Sequence, residues 1–142
     1  MYYVIVNPGS GSYRNKTWLY VKGEFQKRGI LYQAFFSTKN RDVNDILKSL
    51  QHGQVIDVII IGGDGSMNLA VNAIQDFSKV RLGYIPSGSG NDFGRGMGIT
   101  RDITIALESI LKKGYREVDV PMIHILQGDK PQRRRFLISC GI

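Results

Sequence analysis

Cysteine is almost missing from this chain of 142 residues, because Cys140 stands alone and no intramolecular disulfide can staple the fold. No catalytic base lies near Cys140 in sequence, and the residue reads as a small buried apolar side chain. Histidine is nearly as scarce, and His52 and His124 show no metal-ligand spacing. No apolar run approaches the roughly 20 residues of a membrane-crossing helix. The opening MYYVIVNPGSG has no basic segment, and its apolar stretch is too short for a secretory signal. A soluble cytoplasmic chain, at most peripheral to a membrane, is therefore expected. GxxxxGK[ST] is absent, which excludes a P-loop, and no G-x-G-x-x-G follows the first apolar run, where a dinucleotide dehydrogenase carries it.

Glycine and positive charge are what the chain has in excess. It contains 17 glycines, well above the ~7% of an average protein. Eleven of them (Gly9, Gly11, Gly62, Gly63, Gly65, Gly83, Gly88, Gly90, Gly94, Gly96 and Gly98) fall in or near three loops. The net charge is +7, and more than half of the excess lies after residue 111. Apolar residues make up 42%, enough for one core of ordinary size.

The apolar pattern alternates between two periods. Short apolar runs at residues 2–6, 31–36, 55–61 and 82–85 read as strands. Between them, Trp18, Val21 and Phe25 predict a helix over 15–28. Val43, Ile46, Leu47 and Leu50 predict one over 41–52, and Met67, Ala70, Val71 and Ile74 repeat the spacing behind Gly65. Ile103, Leu107, Ile110 and Leu111 mark a last helix ending at Gly114. Strands alternating with helices predict an α/β fold, a three-layer open and mostly parallel sheet. After Tyr115 the pattern changes to two β-like stretches, 118–126 and 134–142, around a turn at 127–131. That hairpin predicts a domain boundary near Asp119, with an α/β domain over 1–119 and the start of a β-rich domain over 120–142.

All three glycine loops, at 7–11, 62–65 and 86–90, directly follow predicted strands, so they share one sheet edge. Ligands of open α/β sheets bind beyond the carboxyl ends of the strands. Glycine permits close backbone approach, and amides at a helix start bind anions. Such an edge suits a polyphosphate, although any single loop could be only a tight turn. Asp64 and Asp92 stand inside these loops. Either could be a turn or capping residue, and beside a phosphate either could hold Mg²⁺. Asp64, boxed by three glycines, favours the second role.

Three segments carry a resemblance. Gly62-Gly63-Asp64-Gly65-Ser66, followed by Asn68, resembles the GGDGT signature of diacylglycerol, sphingosine, ceramide and NAD kinases and of phosphofructokinases. Asn7-Pro8-Gly9-Ser10-Gly11 resembles the N-P-x-S-G loop of the lipid kinases. The run from Pro86 to Arg95 resembles their P-L-G-T-G-N-D-F-A-R segment, which NAD kinases lack. In this order the three are similar to the diacylglycerol kinase catalytic-domain family, in particular its bacterial lipid-kinase branch, with an NAD kinase/phosphofructokinase-like fold. The resemblance implies ATP contacts at Asn7, Pro8, Gly9, Ser10, Gly11, Thr38, Gly62, Gly63, Asp64, Gly65, Ser66, Met67, Asn68 and Ser89. It also implies a water-linked Mg²⁺ network on Asp64, Asp92 and Asp119, with Asp64 as the catalytic residue nearest the reacting phosphate.

The chain departs from the family pattern at Leu69, where Glu is usual, and at Ala73, where Gly is usual, while Ser66 and Ser89 keep the hydroxyl of a family Thr. Family members also continue into a β-rich domain bearing the lipid groove and the general base, so both are expected beyond Ile142, and the piece alone is expected to turn over poorly. The expected function is ATP-dependent phosphorylation of a hydroxyl on diacylglycerol or a related lipid. The alternatives are an NAD or other small-molecule kinase and a non-catalytic nucleotide-binding module. Arg133, Arg134 and Arg135 form the one dense basic run. It reads as a solvated hairpin tip, or as a peripheral contact with anionic lipid headgroups. Nothing beside it resembles a nucleic-acid recognition motif. An unpaired strand edge in that hairpin would offer a route to a homodimer.

Overall fold

The computed structural model describes residues 1–9, 12–126 and 131–137. Its centre is a four-stranded parallel sheet in the order β2-β1-β3-β4. The strands are β1 (Tyr2–Val6), β2 (Tyr32–Phe36), β3 (Ile56–Gly62) and β4 (Val80–Pro86). Strands buried on both faces need no polar alternation, which is why β1 and β3 read as continuous apolar runs. Val4, Val6, Ile59 and Ile61 point to one face, and Ile5, Val58 and Ile60 to the other.

Each face is covered by helices with a matching apolar stripe. Trp18, Val21 and Phe25 of α1 (Ser12–Lys27) join Ala106 and Leu107 of α5 (Ile103–Leu111) on the first face. Val43, Ile46 and Leu47 of α2 (Val43–Leu50) join Met67, Ala70 and Ala73 of α3 (Asp64–Ala73) on the second. The periodicity predicts α2 from residue 41, but Asp42 starts it two residues later. The Asp42 carboxylate accepts from the Asp45 amide at 3.0 Å while the Asp45 carboxylate accepts from the Asp42 amide, a reciprocal capping box. Two short elements carry no periodic signal, a 3-10 turn at Phe77–Lys79 and α4 at Asp92–Gly96. Five residues are too few to show a stripe.

The predicted hairpin is present, with different limits. Strands β5 (Met122–Ile125) and β6 (Gln132–Arg135) pair antiparallel, Met122 opposite Arg135 and Ile125 opposite Gln132. β6 therefore begins before residue 134, and residues 138–142 of the expected second strand lie outside the described residues.

The segment between α5 and β5 is held to the sheet by one polar knot. The Tyr115 hydroxyl donates to Asp57 at 2.8 Å, Arg81 pairs with the same carboxylate at 2.8 Å, and the Arg81 guanidinium lies 5.0 Å from the Tyr115 ring centre. The ring is half exposed, but desolvation of the hydroxyl and its bond to Asp57 push the phenol up to about 12. The folded state thus keeps a proton that an unfolded tyrosine releases near pH 10. This contribution to stability is complete below pH 10 and is lost as pH rises towards 12. Tyr115→Phe is expected to lower stability by about 1 kcal/mol at pH 7 and to flatten the alkaline loss, as read by urea unfolding between pH 8 and pH 11.

Candidate functional site

Strand register brings the loop-bearing ends together. Val6 lies opposite Ile61, and Gly62 lies opposite Pro86, so β1, β3 and β4 release their chains at one level of one edge. β1 is followed by β2 on one side and flanked by β3 on the other, which makes the β1–β3 boundary the point where the strand order reverses. Open α/β sheets leave a crevice there. Asn7 leaves β1 at this boundary with its amide bonded to the Ile61 carbonyl at 2.9 Å. Its side chain bridges the gap, donating from Nδ2 to Ser66 Oγ at 2.8 Å and accepting from the Gly9 amide at 3.2 Å. Ser66 is buried, so this pair stitches the first loop to the second.

α3 opens at this crevice. Gly63 is its N-cap and provides no side-chain cap, so the amides of Asp64 and Gly65 at the helix start have no intrahelical partner. Asn7, Gly63, Gly65, Ser66, Asn68 and Leu69 line a shallow cavity of about 450 Å³ beside them. A Cβ added at Gly65 would meet nothing within 4 Å, so the backbone here is open to a ligand. A larger cavity of about 970 Å³ runs along β4 beneath residues 114–120. The glycine loops do not line it, whereas the smaller cavity sits beside the free amides of a helix start, which is the chemistry for an anion.

The third loop is locked to the second by Asp64. Its two carboxylate oxygens accept from the amides of Asp92 at 2.9 Å and Phe93 at 3.0 Å. These are the first amides of α4, whose own N-cap, Asn91, makes no side-chain cap bond. Asn91 is otherwise engaged. Held in the left-handed region at φ 56°, it accepts from the Gly88 amide at 3.0 Å and donates to the Gly88 carbonyl at 2.8 Å. Asp64 is thus a cap, as a bland reading of aspartate allows, but it caps a helix that lies 28 residues further along the chain.

The other expected site residues divide. Thr38 stands at the end of β2, its hydroxyl accepting from the Arg41 amide at 3.1 Å, outside the lining of the cavity. The Met67 side chain turns into the core, which leaves only its main chain near the crevice. Ser89 is exposed, and Arg101 grips its carbonyl and that of Gly90 at 3.0 and 3.1 Å. Pro8 and Gly9 follow β1 at the rim, whereas Ser10 and Gly11 lie outside the described residues. Asp92 pairs with Arg95. Asp119 is exposed on the larger cavity, and among the described residues no group of three or more His, Cys, Asp or Glu closes on a cation position. Asp64 and Asp92 would offer at most two carboxylates to a Mg²⁺, a donor set that fits an ion keeping several of its own waters. Sequence reasoning missed the bracing by Asn91 and Arg101. Asn91 carries a signal, since Asn tolerates the left-handed conformation before a helix, and Arg101 carries none.

The first 123 residues match the family model of the diacylglycerol kinase catalytic domain. The chain belongs to that family. The diacylglycerol kinase catalytic-domain relatives include "Putative lipid kinase YtlR" of Bacillus subtilis (strain 168), 29% identical over 148 aligned positions that cover 99% of this chain and 47% of the relative. A diacylglycerol kinase of Staphylococcus aureus (strain MRSA252) is 34% identical over 121 positions, 82% of this chain and 38% of the relative. The fold is shared with a crystal structure of a diacylglycerol kinase from Bacillus anthracis str. Sterne, at a TM-score of 0.71 and 23% identity, over 87% of this chain and 43% of that one. The chain spans less than half the length of each. Leu69 lines the cavity and is exposed. Among the described residues no helix is long and apolar enough to cross a membrane.

Proposed function

We propose that this chain is the nucleotide-binding part of a lipid kinase that moves the γ-phosphoryl group of ATP to a hydroxyl of diacylglycerol or a related lipid. The observation that carries the reading is the uncapped start of α3, opening into a crevice whose loops are stitched together by Asn7–Ser66 and by Asp64 on α4. Residues 1–119 form the nucleotide-binding unit in this reading, and 120–142 begin the lipid-binding unit.

Phosphoryl transfer asks for positioning and charge stabilisation more than for covalent help from the protein. The amides of Asp64 and Gly65 meet the phosphate, and the missing side chain at Gly65 lets the backbone come close. Mg²⁺, held through water by Asp64 and Asp92, would neutralise charge developing on the transferred group. Asp64 holds the second and third loops at a fixed spacing, so the donors are in place before the reaction begins.

Gly65→Ala tests the contact directly. The added methyl meets no protein atom, so thermal unfolding is expected to stay within a degree or two of wild type. The methyl would occupy ligand space instead, and ATP binding by calorimetry is expected to weaken about tenfold, the equivalent of ~1.4 kcal/mol. Equal ATP affinity in both proteins would remove the phosphate from this helix start. Acceptor choice is read on the full-length protein with radiolabelled ATP. Label in diacylglycerol supports the reading, and label in NAD alone replaces it.

A further inference from the structure

α3 is held at both ends, and its far end is held by the hairpin. The helix has no basic residue in its last turn, and its C-cap, Ile74, is extended. The orphan carbonyls that end any helix are met here from outside. Arg135 of β6 donates from Nη1 to the carbonyls of Val71 at 3.2 Å and Ile74 at 2.6 Å, and its guanidinium lies 4.8 Å from the Phe77 ring centre. Gln51 takes the Ala73 carbonyl at 3.0 Å. The Asn72 side chain completes the grip as a neighbouring strand would, accepting from the Arg135 amide at 2.9 Å and donating to the Arg135 carbonyl at 2.8 Å. The same Nδ2 donates to the Asn68 carbonyl at 2.9 Å, and Asn68 lines the candidate cavity. Arg135 lies beyond the residues matched by the family, 1–123. A ten-residue helix is a rod about 15 Å long, with the crevice at one end and the hairpin at the other.

We propose that Arg135 and Asn72 are positioning residues, a latch by which the hairpin sets the placement of α3 and, through it, the affinity of the crevice for nucleotide phosphate. The affinity half rests on the nucleotide reading above, and the placement half does not. A cation at a helix C-terminus is favoured by the helix dipole, and while Nη1 meets both carbonyls the planar guanidinium also stacks on Phe77, which a lysine ammonium does less well. Arg134 is a matched control, since it is exposed, carries the same charge and sits on the same strand.

Hydrogen exchange and ATP titration of Arg135→Ala, Arg135→Lys and Arg134→Ala test the latch. The Ser66 and Met67 amides, both bonded to the Gly63 carbonyl, report the first turn of α3, and the amide of Ile60, fully buried in a central strand, reports global opening. Arg135→Ala is expected to speed exchange at Ser66 and Met67 relative to Ile60 and to weaken ATP binding about five- to tenfold. Arg135→Lys should fall between, and Arg134→Ala should match wild type. Because coupling is reciprocal, ATP should slow exchange of the Arg135 amide in the wild-type chain. Unchanged Ser66 and Met67 exchange relative to Ile60 in Arg135→Ala overturns the latch, whatever happens to overall stability. A wild-type chain that binds no ATP overturns the nucleotide reading and the affinity half together, and the exchange data alone then decide placement.

Discussion

Asp64→Ala is expected to lower stability by about 2 kcal/mol and to abolish ATP binding with it. The carboxylate carries two charge-assisted bonds, to the Asp92 amide at 2.9 Å and the Phe93 amide at 3.0 Å. Bonds to a charged partner contribute about 1.5–3 kcal/mol each, and losing a helix cap costs about 0.5–2 kcal/mol. Two bonds to one carboxylate are not independent, so the expected loss is nearer the middle of that range than its sum. No replacement is at hand, because the Asn91 side chain is already closed on Gly88. Asp64→Asn is the sharper test. Its amide keeps the volume but offers one acceptor oxygen and turns an NH₂ towards a backbone N–H, so one bond is kept and the other is replaced by a repulsive contact. Chemical unfolding should place it between Ala and wild type. An Asn variant as stable as wild type would show that α4 does not depend on this cap.

Gly88→Ala is expected to be of similar size for a purely steric reason. A Cβ at Gly88 would lie 2.6 Å from the Gly63 Cα and 3.1 Å from Asn91 Oδ1. The nearer neighbour is main chain, and main chain at the end of a central strand cannot rotate away as a side chain can. The second and third loops would have to part, which also stretches the Asp64 bonds. Overpacking of this kind costs about 1–3 kcal/mol, and the upper end applies where the obstacle is backbone. Gly62→Ala makes a useful contrast. Its Cβ would lie 2.5 Å from Ser66 Oγ, which can turn aside at the expense of its bond to Asn7, and 2.7 Å from Ser66 Cβ, which moves only with the first turn of α3. Calorimetric melting should therefore place Gly65→Ala nearest to wild type, with Gly62→Ala and Gly88→Ala both well below it. A Gly88→Ala protein that melts with the wild type would mean the loops are not in contact.

Much of this architecture could be read without coordinates. Four strands and the four longer helices announce themselves by period, since a buried parallel strand needs several consecutive apolar residues and a covering helix needs a stripe. Asn7, Gly62, Gly63, Gly65 and Gly88 could be assigned to one edge, because each follows a strand and parallel strands end on the same side. What could not be read were the pairings. The sequence places Asp64 beside glycines but does not show that its carboxylate accepts amides of α4, an element too short to leave a pattern. Arg135 looked like one of three solvated arginines. It is instead the cap of α3, while Arg133 and Arg134 remain exposed.

The amino-acid sequence by itself determined the alternation of strand and helix, the placing of three glycine loops on one edge and the membership of a kinase family. These depend on near neighbours, through apolar period, turn chemistry and short motifs. Only the tertiary structure decided which loop holds which, that Asp92 comes to Asp64 without Asp119 completing a direct metal cluster, and that the hairpin grips the helix of the GGDG loop. Those contacts join residues 28 to 64 positions apart. They exist because strand order and register bring distant backbone groups within hydrogen-bond reach, and no local stretch of the chain encodes that distance.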